Sequence, residues 1–413
     1  MRSLIFTVRA ALLASGGLLL AAPVAAEPAP PYAVLLREAQ ATAPRLIESG
    51  ANVRSAEGLA AQAGALPNPT VSLDVEDLGI RDSNGIGQRQ TTLSVSQPLE
   101  LGGKRAARIG AGRADVGVAE ARQHQAKADF AYDLALAYAA AEAGQAHAAL
   151  LTEDLGRARE DLRAARALVE AGKEADVRAL QAQAAATGAE ADLAAARADA
   201  AEAFARLTSM VGAPEPFTSI SASLLVRTQA LRPATATPSN TPGVAVAQAE
   251  REAATRRLRV ERARMTPDLT VSVGARKFEA RDGAALVVGL AAPLPLFDRN
   301  RGAVTSASAL VVAADARLKG ARLDADAAWR AASAQAAAGE TRVEAATQAA
   351  AAAREGYRLT RIGYDSGKSS LMELSAARRS LAEAQTRLID ARVARVRAEA
   401  QLARLAGRTP FGE

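Results

Sequence analysis

Residues 67 to 104 read PNPTVSLDVEDLGIRDSNGIGQRQTTLSVSQPLELGGK, and this stretch decides the fold expected for the chain. From Val71 to Glu76, apolar residues alternate with Ser, Asp and Glu, and a second alternation of Leu and Val begins at Leu93. A period of two is typical of a strand with one apolar face and one polar face. Residues 81 to 88 contain Asp, Ser, Asn and Gly, which favour turns. The stretch therefore predicts a β-hairpin at about residues 69–101.

The hairpin pattern returns in the second half of the chain. Residues 70–73 (TVSL) are matched by residues 270–273 (TVSV) at an offset of 200, whereas residues 98–101 (PLEL) are matched by residues 293–296 (PLPL) at an offset of 195. The offset of 195 persists downstream of the hairpins. A shared register whose length change is confined to a hairpin indicates an internal duplication. We therefore predict a second, shorter hairpin at about residues 268–296.

Long helices are predicted after each hairpin. Residues 103–171 and 301–366 contain no proline and are rich in Ala, Arg, Glu and Leu, so each predicts one helix of about 100 Å at 1.5 Å per residue. A glycine-lysine pair ends each of them, and return helices follow at about 174–211 and 369–406. Shorter helices are expected before the hairpins, at residues 33–65 and 245–264. The chain is therefore expected to be mainly α, with two strand pairs.

The first return helix shows an alanine-rich stripe with a spacing of three and four residues. The stripe predicted to pack is Val177, Leu180, Ala184, Thr187, Ala191, Ala194, Ala198, Ala201 and Ala205. Small residues allow close approach of helices but bury little area, so we expect a closed cylinder of antiparallel helices. An ordinary coiled-coil rod is the alternative. Acids and arginines at helical spacing are interpreted mostly as surface pairs.

The chain is predicted to divide into two repeats behind an export signal. Residues 1–26 carry two arginines, an apolar run and small residues before the expected cleavage site, as signal peptides do. The first repeat is placed at residues 27–213 and the second at 244–407. A proline-rich linker, residues 214–243, joins them, and residues 408–413 form a tail.

Composition argues against several classes of function. The chain of 413 residues has no cysteine, which excludes disulfides, thiolate metal sites and a lipidated N-terminal cysteine. His124 and His147 are the only histidines and lie in one predicted helix, so neither a catalytic nor a metal centre is expected. Without the signal's two arginines the formal net charge falls from +6 to +4, which is no indication of nucleic-acid binding. An enzyme is the least favoured class.

The predicted strands supply the only route across a membrane. After the signal, no stretch is apolar for the roughly 20 residues that a membrane-spanning helix needs. A closed barrel of strands is the other spanning structure, and the strands are expected to have about the 9 to 11 residues that it requires. Four strands cannot close a barrel alone. A small soluble sheet is the alternative interpretation.

The order of elements, the string QPLELGGKR at residues 97–105 and the two glycine-lysine turns resemble the TolC family of outer-membrane efflux channels. The string is most similar to the heavy-metal branch, the CzcC-like and CusC-like proteins. The resemblance implies a homotrimer with a 12-stranded outer-membrane β-barrel and a periplasmic α-helical barrel. It also implies a periplasmic adaptor protein and a proton-driven inner-membrane pump of the RND type as partners, outer-membrane lipid around the strands, and no cofactor.

The two glycine-lysine turns are the candidate adaptor contacts, because the family meets its adaptor at the periplasmic helix tips. Gly172 with Lys173 and Gly367 with Lys368 occupy these positions. Glycine permits the left-handed ending of a helix and lets a partner backbone approach closely. A capping role alone is the other interpretation.

Glu373 and Arg178 are the candidates for a tunnel constriction. Glu373 matches a family position whose acidic side chain projects into the tunnel, and Arg178 is its counterpart in the first repeat. A second acid three residues later is replaced by Ala376, so a double acidic ring is not expected. A contact between Arg178 and Glu373 and a solvated helix face are both left open.

We therefore expect a non-catalytic outer-membrane channel that forms the last segment of a tripartite efflux system for heavy-metal cations. An outer-membrane duct for drugs or secreted polypeptides is the alternative within transport. A periplasmic coiled-coil scaffold without a pore is the alternative from another class.

Overall fold

The computed structural model describes residues 28–81, 84–85, 89–226, 238–279 and 281–411. The predicted signal, residues 1–26, and most of the predicted hairpin turn at 81–88 lie outside these residues. The helices are α1 (Tyr32–Thr42), α2 (Pro44–Ala63), α3 (Lys104–Glu170), α4 (Asp176–Val211), α5 (Pro242–Ala263), α6 (Arg301–Asp365) and α7 (Leu371–Leu405). The strands are β1 (Pro28–Ala29), β2 (Thr70–Glu76), β3 (Gln90–Leu99), β4 (Ser219–Ile220), β5 (Leu269–Phe278) and β6 (Ala284–Ala291).

The two hairpins join into one antiparallel sheet in the order β2-β3-β5-β6. The register aligns Val71, Val95, Val273 and Val288 in one row across the four strands. All four valines are exposed, between 47% and 66%. Alternation places polar groups on the opposite face, where Arg276 donates to Thr92 over 2.9 Å. One face of the sheet is thus apolar and uncovered, and the other is polar.

The helices form two layers that follow one another along the molecule, one next to the sheet and one further from it. Nearest the sheet, α2 packs against α3, α3 against α5, and α5 against α6, which repeats the order of the strands. Further away, α3 packs against α4 and α7, and α7 packs against α6. The helices α3 and α6 take part in both layers because their 67 and 65 residues span about 100 Å.

The main hydrophobic core lies where the two layers meet. It gathers buried residues of α1, the middle of α3, the end of α4 and the segment after it, and includes Leu35, Tyr138 and Leu207. Glu142 of α3 fixes that segment, since its carboxylate accepts the backbone N–H groups of Leu224 at 2.7 Å and Leu225 at 3.1 Å. This core therefore holds the layer further from the sheet in position relative to the layer next to the sheet.

Three boundaries differ from the sequence expectations. The helix expected at 33–65 is broken at Ala43, because Pro44 starts a new helix and forces its predecessor into an extended conformation. Helix α5 begins at Pro242, inside the predicted linker, since proline is favoured in the first turn. Strands β2 and β6 have seven and eight residues, fewer than the 9 to 11 expected.

The predicted packing stripe of α4 does not pack within the chain. Every position of that stripe is exposed in the chain. The buried positions are Ala182, Ala186, Ala189, Leu193, Ala196, Ala200, Phe204, Leu207 and Val211. Alanine occurs on all sides of α4, so more than one stripe fits a heptad, and the three large residues Leu193, Phe204 and Leu207 select the one that packs on α3.

None of the described helices is apolar over enough of its length to cross a membrane.

Candidate functional site

Both helix tips have the same hydrogen-bonded geometry. At the end of α3, Gly172 has a φ of 68° and donates to Val169, while Lys173 donates to Leu168, both over 2.9 Å. At the end of α6, Gly367 has a φ of 71° and donates to Tyr364 over 2.9 Å. This is the Schellman ending, which requires a left-handed residue and therefore favours glycine. The capping role of both glycines is explicit in the structure.

The tips are open surfaces in the chain. Lys173 and Lys368 are exposed, and a Cβ added to Gly172 or Gly367 would meet nothing within 4 Å. The space beside each glycine is therefore available to a partner. Each tip presents one lysine next to that space.

Glu373 and Arg178 each contact a polar neighbour three or four residues away in the sequence. Glu373 closes a capping box at the start of α7, since its carboxylate accepts the Ser370 N–H at 2.7 Å while its own N–H donates to the Ser370 hydroxyl. The hydrogen bonds from the Ser370 backbone and hydroxyl lower the pKa of Glu373. Arg178 pairs with Glu174 over 3.4 Å. In the described part of the chain no ion pair joins Arg178 to Glu373, so the contact that the sequence left open is not made within one chain.

A buried ionic cluster lies near the tips, between α3, α6 and α7, and was not predicted from the sequence. Arg378 of α7 is 5% exposed and contacts Asp154 of α3 at 2.5 Å. Its Nε lies 3.8 Å from Asp161, which is 4% exposed. Arg361 of α6 reaches the same Asp161 at 3.1 Å. The four residues, which we call the buried ionic cluster, join both repeats in one network.

The two arginines of this cluster do not fully offset the cost of burying the carboxylate of Asp161. Burial raises the pKa of Asp161 to about 6, although Arg361 and Arg378 act in the opposite direction and Glu160 and Asp154 add to the rise. Oδ2 of Asp161 and Oδ1 of Asp154 are buried without a hydrogen-bond partner among the described residues. An ionised Asp161 is therefore incompletely compensated.

We predict a pH dependence of stability that Asp161→Asn removes. The pKa of Asp161 is raised in the folded chain, so its protonated form is favoured by folding. The resulting contribution to the free energy of unfolding is complete below the pKa of the unfolded chain, about 3.9, and is lost as the pH rises through about 6. The unfolding midpoint of the wild-type protein, measured relative to Asp161→Asn, should fall between pH 4 and about 7 and then stay level. A constant difference over that range would contradict the assignment.

The spacing of the two acids along α3 is a sequence signal for the cluster. Asp154 and Asp161 are seven residues apart, so they share one stripe of α3, and apolar neighbours such as Leu155 and Ala158 flank them. Two acids on an otherwise packed stripe indicate buried charge. The interpretation of such acids as surface pairs is wrong at these two positions.

The described residues contain no group of three or more His, Cys, Asp or Glu side chains that would hold a metal ion. His147 faces Asp390 of α7 at 3.9 Å.

The fold defines a class of protein, an elongated subunit with a four-stranded amphipathic sheet and a long helical extension. The family described as "Outer membrane efflux protein" matches residues 35–213 and 236–408, and the chain belongs to this family. The resemblance to the TolC family is thereby confirmed.

Relatives from the heavy-metal branch are similar to the chain along most of its length. The chain is 45% identical over 390 residues to the nickel-cobalt-cadmium resistance protein NccC of Alcaligenes xylosoxydans xylosoxydans, covering 94% of this chain and 89% of the relative. It is 50% identical over 308 residues to the nickel and cobalt resistance protein CnrC of Cupriavidus metallidurans, covering 74% and 73%. The cobalt-zinc-cadmium resistance protein CzcC of the same organism is 30% identical, covering 81% and 80%.

Solved structures share the fold. VceC of Vibrio cholerae superposes with a TM-score of 0.75 at 22% identity, covering 91% of this chain and 96% of that one. CusC superposes with a TM-score of 0.75 at 17% identity, covering 91% and 92%. These similarities confirm the predicted fold class, that of TolC-like channel subunits.

Proposed function

We propose that this protein is the outer-membrane channel of a tripartite efflux system and exports heavy-metal cations. The observation that carries the proposal is the extended similarity to NccC and CnrC, whose names state nickel, cobalt and cadmium resistance. In the same proposal, residues 1–26 are a cleaved signal, the protein is not a lipoprotein, and two repeats at 27–213 and 244–407 flank the linker 214–243.

A homotrimer is part of the proposal. Among the described strands, β2 and β6 each have one hydrogen-bonded neighbour, so each end of the sheet is an unpaired edge. Three copies would pair these edges into a closed 12-stranded barrel and place the exposed valine row against lipid. Closure supports the proposal because an isolated sheet with these edges and an uncovered apolar face would aggregate.

The cations are cargo in this proposal. A conduit must release ions rather than hold them, so the cations are expected to pass through the tunnel without a resident binding site. Selection among metals is then assigned to the pump of the RND type and its periplasmic adaptor.

Deletion of the gene tests the substrate class. The strain should become sensitive to nickel, cobalt or cadmium and keep its resistance to drugs, and a plasmid copy should restore resistance. Sensitivity to drugs alone would favour the alternative duct for organic compounds. Absence from the outer-membrane fraction would favour the scaffold without a pore.

We also propose that the adaptor docks at the tips formed by Gly172, Lys173, Gly367 and Lys368. Their open space and positive charge support this role. Glu373 and Arg178 lie within one or two turns of these tips and remain proposed contributors to a constriction of the assembled tunnel, beside their observed capping and pairing roles.

Gly367→Leu is expected to abolish metal resistance while trimers still form. The side chain would occupy the open space beside the tip and would add the cost of a left-handed β-carbon, about 1 to 2 kcal/mol. Gly212 is a matched control, because it has a φ of 68°, ends α4 far from the tips and has nothing within 4 Å of an added Cβ. Gly212→Leu should keep resistance. Adaptor pull-down that is equal for both variants would contradict the docking role.

A further inference from the structure

The helical layer next to the sheet has a concave face and a convex face, and charged residues distinguish them. Arg257 of α5 contacts Asp115 of α3 at 2.6 Å, and both residues line a cavity that α2 and α6 also border. Four helices can border one cavity only on the concave side of their layer. Arg259 follows Arg257 by two positions, and Arg113 precedes Asp115 by two positions. Each therefore lies about 200° around its helix from that residue. They therefore lie on the convex side.

A second groove lies on that convex side, between α3 and α5. Its volume is about 580 Å³, and small residues line it, such as Gly103 just before α3 and Ala107 and Gly110 of α3. Arg256, Arg259 and Arg262 of α5 line the same groove. Arg113 borders its continuation along α3. Because α3 and α5 are neighbours within one chain, a neighbouring subunit that pairs with β2 or β6 would not cover the groove.

Among the described residues, three of the four guanidinium groups along this groove have neither a hydrogen-bond partner nor an ion-pair partner. Arg256 donates to Glu252 over 2.6 Å. In the chain as described, neither a hydrogen bond nor an ion pair involves the exposed side chains of Arg113, Arg259 or Arg262. By contrast, Arg257 and Arg122 on the concave side are paired with acids. Three uncompensated guanidinium groups thus lie along the convex groove.

The groove sits directly below a belt of exposed apolar side chains. Each of the four connections between sheet and helices carries at least one such side chain. The belt consists of Leu66, Leu101, Met265, Leu294, Leu296 and Phe297. Phe297 is 99% exposed. Arg262 precedes the end of α5 by one residue, and Arg113 lies about 14 Å from the start of α3, so the arginines lie within reach of the belt.

We infer that this groove binds the phosphate of an anionic phospholipid in the membrane leaflet that faces the helices. The inference rests on the proposed function, since the apolar belt must lie at the membrane boundary. An apolar belt followed by arginines matches the boundary between acyl chains and headgroups. Guanidinium groups bind phosphate oxygens through paired N–H donors, and the small residues let the headgroup approach both helices. The site would fix the depth at which the channel sits in the membrane.

The test compares lipid binding by purified full-length channel. Wild-type protein in neutral detergent is titrated with phosphatidylglycerol, with phosphatidylcholine and with inorganic phosphate, and the unfolding temperature is recorded. Phosphatidylglycerol should raise it for the wild type. The double variant Arg259→Gln, Arg262→Gln should need roughly 10- to 30-fold more phosphatidylglycerol for the same shift. Phosphatidylcholine and inorganic phosphate should give no comparable shift.

The double variant Arg257→Gln, Arg317→Gln is the matched control. Both residues are exposed and border the concave cavity, and the variant loses the same two charges, so it should respond as the wild type does. An equal response of the Arg259→Gln, Arg262→Gln variant and the wild type would overturn the inference. A shift caused equally by inorganic phosphate would also overturn it and indicate a free anion site. Failure of the proposed function is distinguishable, because it would show as absence of channel conductance in lipid bilayers.

Discussion

Arg378→Met is expected to lower the free energy of unfolding by about 3 to 5 kcal/mol, the usual cost of removing one partner of a buried ion pair. The substitution keeps most of the side-chain volume but leaves Asp154 and Asp161 buried with less compensation. Chemical denaturation of the purified protein, with an unfolding midpoint well below that of the wild type, measures the effect. Arg379→Met is the matched control, because Arg379 is the exposed neighbour and its replacement should change the midpoint little.

A rescue separates the ion pair from simple loss of packing. Adding Asp154→Leu and Asp161→Asn to Arg378→Met removes the uncompensated charges, and apolar replacement of buried pairs is often neutral. The triple variant should therefore regain most of the lost stability. If it is no more stable than Arg378→Met alone, buried charge is not the cause of the loss.

The second large effect is expected from a single methyl group. Gly144→Ala would place a Cβ 2.9 Å from the Cα of Ala200, where α3 and α4 cross closely. Helix α4 would have to move, and overpacking of this kind costs about 1 to 3 kcal/mol. Gly156→Ala in the same helix meets nothing within 4 Å and should stabilise by up to about 1 kcal/mol, because alanine is the better helix former. Opposite shifts of the unfolding midpoint are the expected result.

The equivalent position in the other half of the chain refines this prediction. Gly339 and Arg395 follow Gly144 and Ala200 by 195 residues each. An added Cβ on Gly339 would lie 3.5 Å from Arg395, which is ordinary contact. Gly339→Ala should therefore cost much less than Gly144→Ala. Equal losses at both positions would show that the close crossing of α3 and α4 does not determine the effect.

The elements that follow from local chemistry were predictable from the sequence. Alternating residues such as Val71 and Leu73 place the strands, proline-free stretches place α3 and α6, and Gly172 and Gly367 mark the helix tips. Each of these signals acts within a few residues of its own position. The structure agrees with them because no distant contact opposes them.

The features that depend on partners distant in sequence were not predictable. The packing stripe of α4 is set by where Leu193 and Phe204 meet α3, and alanines elsewhere make the alternative stripe equally regular. Burial of Asp154 depends on Arg378, which is 224 residues away. The position of the groove between α3 and α5 depends on which side of the helical layer is concave. The residue pattern of a single helix does not predict the curvature of the layer.

The continuity of α3 and α6 through both helical layers has a mechanical consequence. Neither layer can turn about the long axis of the molecule without carrying these two rods along with it. A displacement of Gly172 or Gly367 is therefore coupled, through one unbroken helix of about 100 Å, to the connections that lead into the strands.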